Sequence, residues 1–399
     1  MKKLVLCNIL IALWLLANCN GQTNEKTQTN KTKVVGGGCD GCELMYVGIP
    51  KQIPSVVTSP GWNEKGQKLI LTGNVFQLDG KTPAADVIIY YWQTDNNGYY
   101  SPSPAMDERA KRHGHIRGWV KTDKNGYYMI KTIRPAPYPK ETMPAHIHLS
   151  IKEPDVANEY YSDEINFDDD PLLIPHFKRY PQENRGGSGV VRVVLKDNMQ
   201  IAEHPIVLGL NIPNYPKEMN SKIKSGLHIG EDQPSFAPTH AFGPDEGTTT
   251  CPVCKYGRYH GILYFVGRKS INEDVEKWCR FLEKQGTLRK KELKVYLIVE
   301  SNNANDHQKT QNQLKKLGIE MGIVNTALTF VPSYSDRISD AYLNKINPDV
   351  ENTFIIYKHR KIVDKYINLK PTDDNFEKII QSLKSTKGPY FHLPEPSHD

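Results

Sequence analysis

The sequence predicts a multidomain chain in which an all-β sandwich is followed by an α/β domain. Three observations point there. From Lys68 to about Asn214, short runs rich in β-branched and aromatic residues are cut by Gly, Asn and Asp turns, a spacing that suits a β-sandwich. From residue 256 onward, buried-type strands alternate with amphipathic helical segments, the pattern of a separate α/β domain. Between them, residues 216–255 are rich in Gly, Pro, Thr and Ser and read as a linker.

The chain of 399 residues is long enough for two or three domains, and its 38% hydrophobic and 24% charged residues allow buried cores. The net charge of +6 is spread out, with no Lys/Arg cluster interleaved with aromatics, so nucleic-acid binding is not expected. At the N-terminus, Lys2 and Lys3 precede the apolar run "LVLCNILIALWLLANC", which is short for a membrane span and reads as a secretory signal over residues 1–19. Leu16 to Cys19 resembles a bacterial lipobox, with Cys19 as the lipidated residue, although Asn18 is unusual there. An exported lipoprotein whose only membrane contact is that anchor is the expectation, and simple secretion the alternative. Residues 20–45 read as a solvated tether carrying a CxxC pair.

Cys39/Cys42 and Cys251/Cys254 form two CxxC pairs. Outside the cytoplasm such pairs are expected as disulfides. One zinc site shared by both is disfavoured, because they lie much further apart than known ligand spacings.

The strands of the first domain, residues 46–215, follow in order. "KLILTGNVFQ" alternates, "ADVIIYYWQ" follows, and "GWVKTDKNGYYMIKTI" reads as a hairpin around Asn125-Gly126. "AHIHLSI", "GVVRVVLK" and "HPIVLGL" continue the series. In residues 256–399, "GILYFVG" and "LKVYLIVE" are strands and "NEDVEKWCRFLEKQ" and "DHQKTQNQLKKLG" helices. "NTFIIYKHRKIVDKYI" is a hairpin and "DDNFEKIIQSLK" a last helix. Cys279, beside Trp278, is expected in the core, since free cysteines are among the most buried residues.

The chemistry concentrates in "RPAPYPKETMPAHIHLSI", residues 134–151. On a strand, His146 and His148 point to one face with Ile147 on the other. Imidazole is the commonest side-chain metal ligand, so the two rings offer a convergent site. Pro137 and Pro139 fix the backbone on either side of Tyr138.

With these residues in view, "GNVFQLDGKTPAADVIIYYWQTDNNGYY", "VKTDKNGYYMIKTIRPAPYP" and "PAHIHLSI" resemble the intradiol ring-cleavage dioxygenases over roughly residues 68–213. The resemblance implies a mononuclear ferric ion, Fe(3+), held by two tyrosinates and two histidines. In this chain these are Tyr100, Tyr138, His146 and His148, with Tyr99 the neighbour that a one-residue error would select. Phenolate is a hard anionic donor suited to Fe(III), whereas Fe(II) oxygenases more often use two His and one carboxylate. The implied reaction takes a catechol-like aromatic and O2 to a muconate-type dicarboxylate. The resemblance implies that Tyr138 is the catalytic residue, leaving the metal and taking a substrate proton.

Departures are visible too. The family usually carries an arginine before Pro-Ala-His-Ile-His, where this chain has Met143; Arg134 is near but not equivalent. Hence the alternatives of an iron-holding or catechol-binding module without turnover, and, more weakly, a metal-free scaffold. The rival pair His113 and His115 lies beside Lys111 and Arg112 and reads as a loop at the pocket mouth or plain surface. The aspartates of "FDDDPLL" read as turn residues.

The C-terminal domain resembles the thioredoxin-like fold. It has no cysteine after "GILYFVG", and Asn352 stands where a cis-proline is expected, so a docking or structural role is expected of it.

Overall fold

The computed structural model describes residues 34–218, 223–268, 271–301 and 306–396. The expected signal, the Cys19 lipid site and most of the tether lie outside the described residues.

The first domain contains β1 (Val56–Thr58), β2 (Lys68–Phe76), β3 (Ile88–Gln93), β4 (Arg117–Lys121), β5 (Tyr127–Ile133), β6 (His146–Lys152) and β7 (Tyr160–Phe167). A short helix, α1 (Leu173–Arg179), follows, then β8 (Val190–Val191), β9 (Val193–Lys196), β10 (Met199–Glu203) and β11 (Ile206–Val207). One sheet has the order β1-β5-β2-β10-β9, with β11 also on β2, and the other the order β4-β3-β6-β7-β8. Leu69, Leu71 and Ile130 from the first meet Ile89, Tyr91, Ile147, Leu149 and Ile151 from the second, all buried. Alternation then turns Tyr90, Trp92, His146 and His148 to the outer face of the second sheet.

The hairpin expected at Asn125-Gly126 is not a hairpin. The tight turn is present, with Gly126 N donating to Asp123 O at 2.9 Å, but β4 pairs with β3 in one sheet and β5 with β2 in the other. The turn changes sheets because it is fastened to β2: Val75 N donates to Gly126 O at 2.8 Å. A Cβ on Gly126 would lie 2.3 Å from Val75 O, so only glycine fits there.

Residues 34–45 are not a free tether. Leu44 and Met45 are buried, Met45 against Tyr90 and Trp92, and Trp119 Nε1 donates to Met45 O at 2.6 Å. This strap crosses the outer face of the second sheet, its Cys39–Cys42 pair joined as a disulfide.

The second domain holds β12 (Thr239–Phe242), α2 (Pro252–Tyr256), β13 (His260–Val266), α3 (Glu273–Arg289), β14 (Leu293–Glu300), α4 (His307–Met321), β15 (Thr326–Val331), β16 (Asn352–Lys358), β17 (Lys361–Ile367) and α5 (Asp373–Ser385). The sheet order is β12-β15-β14-β13-β16-β17, with β13, β14 and β15 parallel and the β16/β17 hairpin antiparallel. The expected series of strands, helices and hairpin is present, with β15 and β12 added. Cys251–Cys254 is joined as a disulfide at the start of α2. Cys279 is buried as expected, and burial pushes its thiol up to about 12. Asn352 accepts from Leu369 N at 2.9 Å and donates to Leu369 O at 3.0 Å, which ties β16 to the chain beyond β17.

The stretch 216–255 does not run free as a linker. It supplies β12, and Gly230 wedges between the domains: Ser188 N donates to Gly230 O at 2.7 Å and Gly230 N to Ile362 O at 2.8 Å. Beside it, the buried Lys361 ammonium donates to Ser188 O at 3.0 Å, and the Asp232 carboxylate accepts from Ser188 Oγ at 2.8 Å. Lys358–Glu203 at 2.9 Å and Arg192–Glu395 at 2.6 Å extend the junction.

Candidate functional site

Tyr100, Tyr138, His146 and His148 meet on the outer face of the second sheet. Their polar atoms close a ring. Tyr100 and Tyr138 hydroxyls are 2.7 Å apart, Tyr138 hydroxyl and His146 Nε2 3.1 Å, the two Nε2 atoms 3.1 Å, and His148 Nε2 and Tyr100 hydroxyl 2.9 Å. Tyr99 is 56% exposed and stands outside it.

Local sequence explains each placement. His146 and His148 share a face of β6. Trp92 pairs with His148 across to β3, and the rings stack at 4.8 Å and 14°. Tyr100 and Tyr138 come from loops that touch. Gly98, at φ +85°, packs against the proline-flanked segment so closely that a Cβ there would lie 2.2 Å from Pro137 O. Asp170 fixes the entry to β6, its carboxylate accepting from Ala145 N at 2.8 Å and Leu172 N at 2.9 Å. It is a turn residue, as expected, and also a brace.

The proton positions decide what this ring does. His146 Nδ1 lies 2.8 Å from Pro144 O; a carbonyl only accepts, so the proton sits on Nδ1 and the Nε2 lone pair faces the centre. His148 Nδ1 lies 2.9 Å from the Tyr161 hydroxyl and 3.8 Å from a Glu164 carboxylate oxygen. The Glu164 carboxylate so near Nδ1 favours the proton there, which leaves the second Nε2 lone pair facing inward. Two imidazole lone pairs 3.1 Å apart repel unless a positive charge lies between them. Donors about 2.0–2.1 Å from one cation and at right angles to each other stand about 2.9 Å apart, which the ring matches. Burial holds both imidazoles neutral, pushing the pKa of His146 down and that of His148 well below the usual range. Burial, then the facing Tyr138, pushes the Tyr100 phenol far up, and burial raises Tyr138. A bound cation reverses that preference, as cations do for coordinating oxygen and sulfur acids. The donors therefore fit a hard trivalent ion. Among the described residues no group of three His, Cys, Asp or Glu side chains assembles to hold a metal, and half of this donor set is phenolic.

Parts of the surroundings were not visible in the sequence. His113 is not surface: it is 4% exposed, stacks on Trp92 at 4.2 Å and 1°, and bonds the Tyr90 hydroxyl at 2.9 Å. Two aromatic planes thus back His148. His115 is apart from the ring, joining Ser101 O and Glu64. Arg134 is also apart, bound through both nitrogens to Asp169 at 2.6 and 2.7 Å and stacked on Phe167. Tyr161 and Glu164 were missed because a bulge opposite His148 shifts the register of β7, so both reach the same face despite their odd spacing.

Residues 48–184 match the family model described as Dioxygenase. Two curated relatives are similar. Catechol 1,2-dioxygenase of Acinetobacter baylyi is 28% identical over 151 residues, covering 34% of this chain and 47% of that protein. Catechol 1,2-dioxygenase 1 of Acinetobacter lwoffii is 28% identical over 131 residues, covering 29% and 40%. The chain spans less than half the length of these relatives. Among solved structures, the dioxygenase domain of a carbohydrate-binding fusion from Streptomyces sp. SirexAA-E is 21% identical, with a TM-score of 0.31 over 40% of this chain and 91% of that one. Over residues 48–184 the chain is thus similar to the intradiol dioxygenases.

Proposed function

We propose that the chain is a ferric intradiol dioxygenase, opening a catechol between its two hydroxyl-bearing carbons and placing both atoms of O2 in a muconate-type dicarboxylate. The observation that carries this reading is the closed ring of two phenol oxygens and two inward imidazole lone pairs. Tyr100, Tyr138, His146 and His148 would hold the iron. When bound, ferric iron supplies a Lewis acid that chelates the catechol oxygens and lends the ring radical character toward O2.

The chain's own residues do the rest. His146 and His148 stay fixed, anchored by the Pro144 carbonyl and the Tyr161 hydroxyl. Trp92 blocks one face of His148 and keeps water from it. By the resemblance to the intradiol dioxygenases, Tyr138 would be the donor that leaves. Its phenolate oxygen takes one proton from the incoming catechol. A second reading, a catechol-binding module without turnover, is favoured by one observation: Arg134 is committed to Asp169, and Met143 stands where the resembling family usually carries an arginine. Export as a lipoprotein rests on the Lys2–Cys19 pattern, and a thioredoxin-like docking role for the second domain on its strand and helix order.

The test is the iron content and visible spectrum of the purified protein, followed by O2 uptake and product analysis with catechol. Tyr100→Phe is expected to shift or weaken the tyrosinate-to-iron band, while Tyr99→Phe leaves it unchanged. Protein that takes up no ferric iron ends the reading. A band that responds to catechol without O2 uptake selects the binding module.

A further inference from the structure

The donor ring has a carboxylate at its edge, that of Glu164. The bulge in β7 places Asp163 and Glu164 opposite His148, and Glu164 turns to the donor face. Its carboxylate is 3.8 Å from His148 Nδ1, yet its side chain is 29% exposed. It borders the donors and solvent at once. Among the described residues no lysine or arginine forms an ion pair with it. The cations that could offset it are committed elsewhere: Arg134 to Asp169, Arg112 to Asp40, and Arg117 to the strap carbonyls and the Tyr90 hydroxyl on the far side of Trp92. The other carboxylates near the donors differ from it. Asp170 is spent on two backbone N–H groups, and Glu141 is exposed on the loop beyond Pro139.

Resting on the function proposed above, we infer that Glu164 sets substrate class: the site takes catechols with an ammonium-bearing or uncharged side chain and rejects those bearing a carboxylate. An ammonium drawn within hydrogen-bonding reach of a partly shielded carboxylate gains about tenfold or more in affinity, and a carboxylate there loses as much.

The experiment titrates the iron-loaded full chain, without oxygen, with three catechols matched in size. These are 4-ethylcatechol, 4-(2-aminoethyl)catechol and 3,4-dihydroxyphenylacetate. The shift of the visible band gives each Kd, so turnover is not needed. The expected result is that the amine binds at least about tenfold tighter than the carboxylate, with the neutral compound between. Glu164→Gln removes the charge at nearly unchanged size and is expected to bring the three Kd values within about threefold of one another. Equal Kd values in the unmodified protein, or a preference that survives in Glu164→Gln, overturn the assignment and leave the proposed function standing. Failure of 4-ethylcatechol itself to bind overturns both.

Discussion

Gly98→Ala is a small change with a large expected effect. Gly98 has φ +85°, and an added methyl would lie 2.2 Å from Pro137 O and 2.9 Å from Pro139 Cδ, the two residues that flank Tyr138. The first contact is more than about 1 Å short of ordinary van der Waals distance, so the proline segment must move by about that much. The Tyr138 hydroxyl sits 2.7 Å from Tyr100 and 3.1 Å from His146, and such a move breaks at least one of these contacts. Backbone strain at the left-handed position adds about 1–3 kcal/mol. For a domain of this size that is a fall of about 2–10 °C in Tm. A misplacement of about 1 Å costs about a hundredfold in rate. The assay combines a melting curve, the visible spectrum after iron loading, and O2 uptake with catechol. The expected outcome is a modest loss of Tm with a disproportionate loss of band intensity and turnover. If Gly98→Ala has an unchanged spectrum and rate, the loop contact does not position Tyr138 and the argument fails.

Three further outcomes are expected. His113 is kept neutral in the fold, burial above all pushing its pKa down to about 4 from the ordinary 6.5. Its contribution is therefore complete above pH ~6.5 and is lost as pH falls toward about 4, about 1–2 kcal/mol by pH ~5. His113→Gln should shrink the change in urea midpoint between pH ~7.5 and ~5, and an unchanged difference would assign the pH dependence elsewhere. Lys361→Ala leaves the buried Ser188 carbonyl without its donor and should cost about 1–3 kcal/mol at the domain junction. Calorimetry should then show a lower or divided transition, whereas a superimposable trace would mean the junction does not couple the domains. In an insulin-reduction assay the full chain and Cys251→Ser are expected to be alike and slow; robust turnover lost in the variant would make Cys251/Cys254 a working redox pair.

Much of the site was legible because it is local. The parity of His146 and His148 follows from strand geometry alone, and the prolines around Tyr138 mark their own loop. Features that depend on register or on distant backbone were not legible. The bulge that brings Tyr161 and Glu164 to the donor face leaves no mark in "YYSDEINF", because pairing partners are not written in a strand. The Asn125-Gly126 turn was read as a turn, but which strands it joins depends on Val75, remote in sequence. The strap was read as tether because Leu44 and Met45 form too short an apolar run to show a period. The 216–255 stretch was read as linker because Gly230 is held by backbone groups, which any sequence possesses. His113 was assigned to a loop mouth or surface from its charged neighbours, while the stacking partner that buries it, Trp92, lies on another strand.

The parallel pairing of β2 with β10 has a consequence in time. Leu69 pairs with Gln200, and every iron-donor candidate lies in the chain between them. At about 5–20 residues per second, the ribosome takes roughly 10 s to produce the second partner after the first. Throughout that interval β2 lacks one neighbour and the first sheet cannot close. A nascent chain thus carries its two tyrosines and two histidines complete for some seconds before the sandwich that aligns them exists, so the order of events at birth is polypeptide first and architecture second.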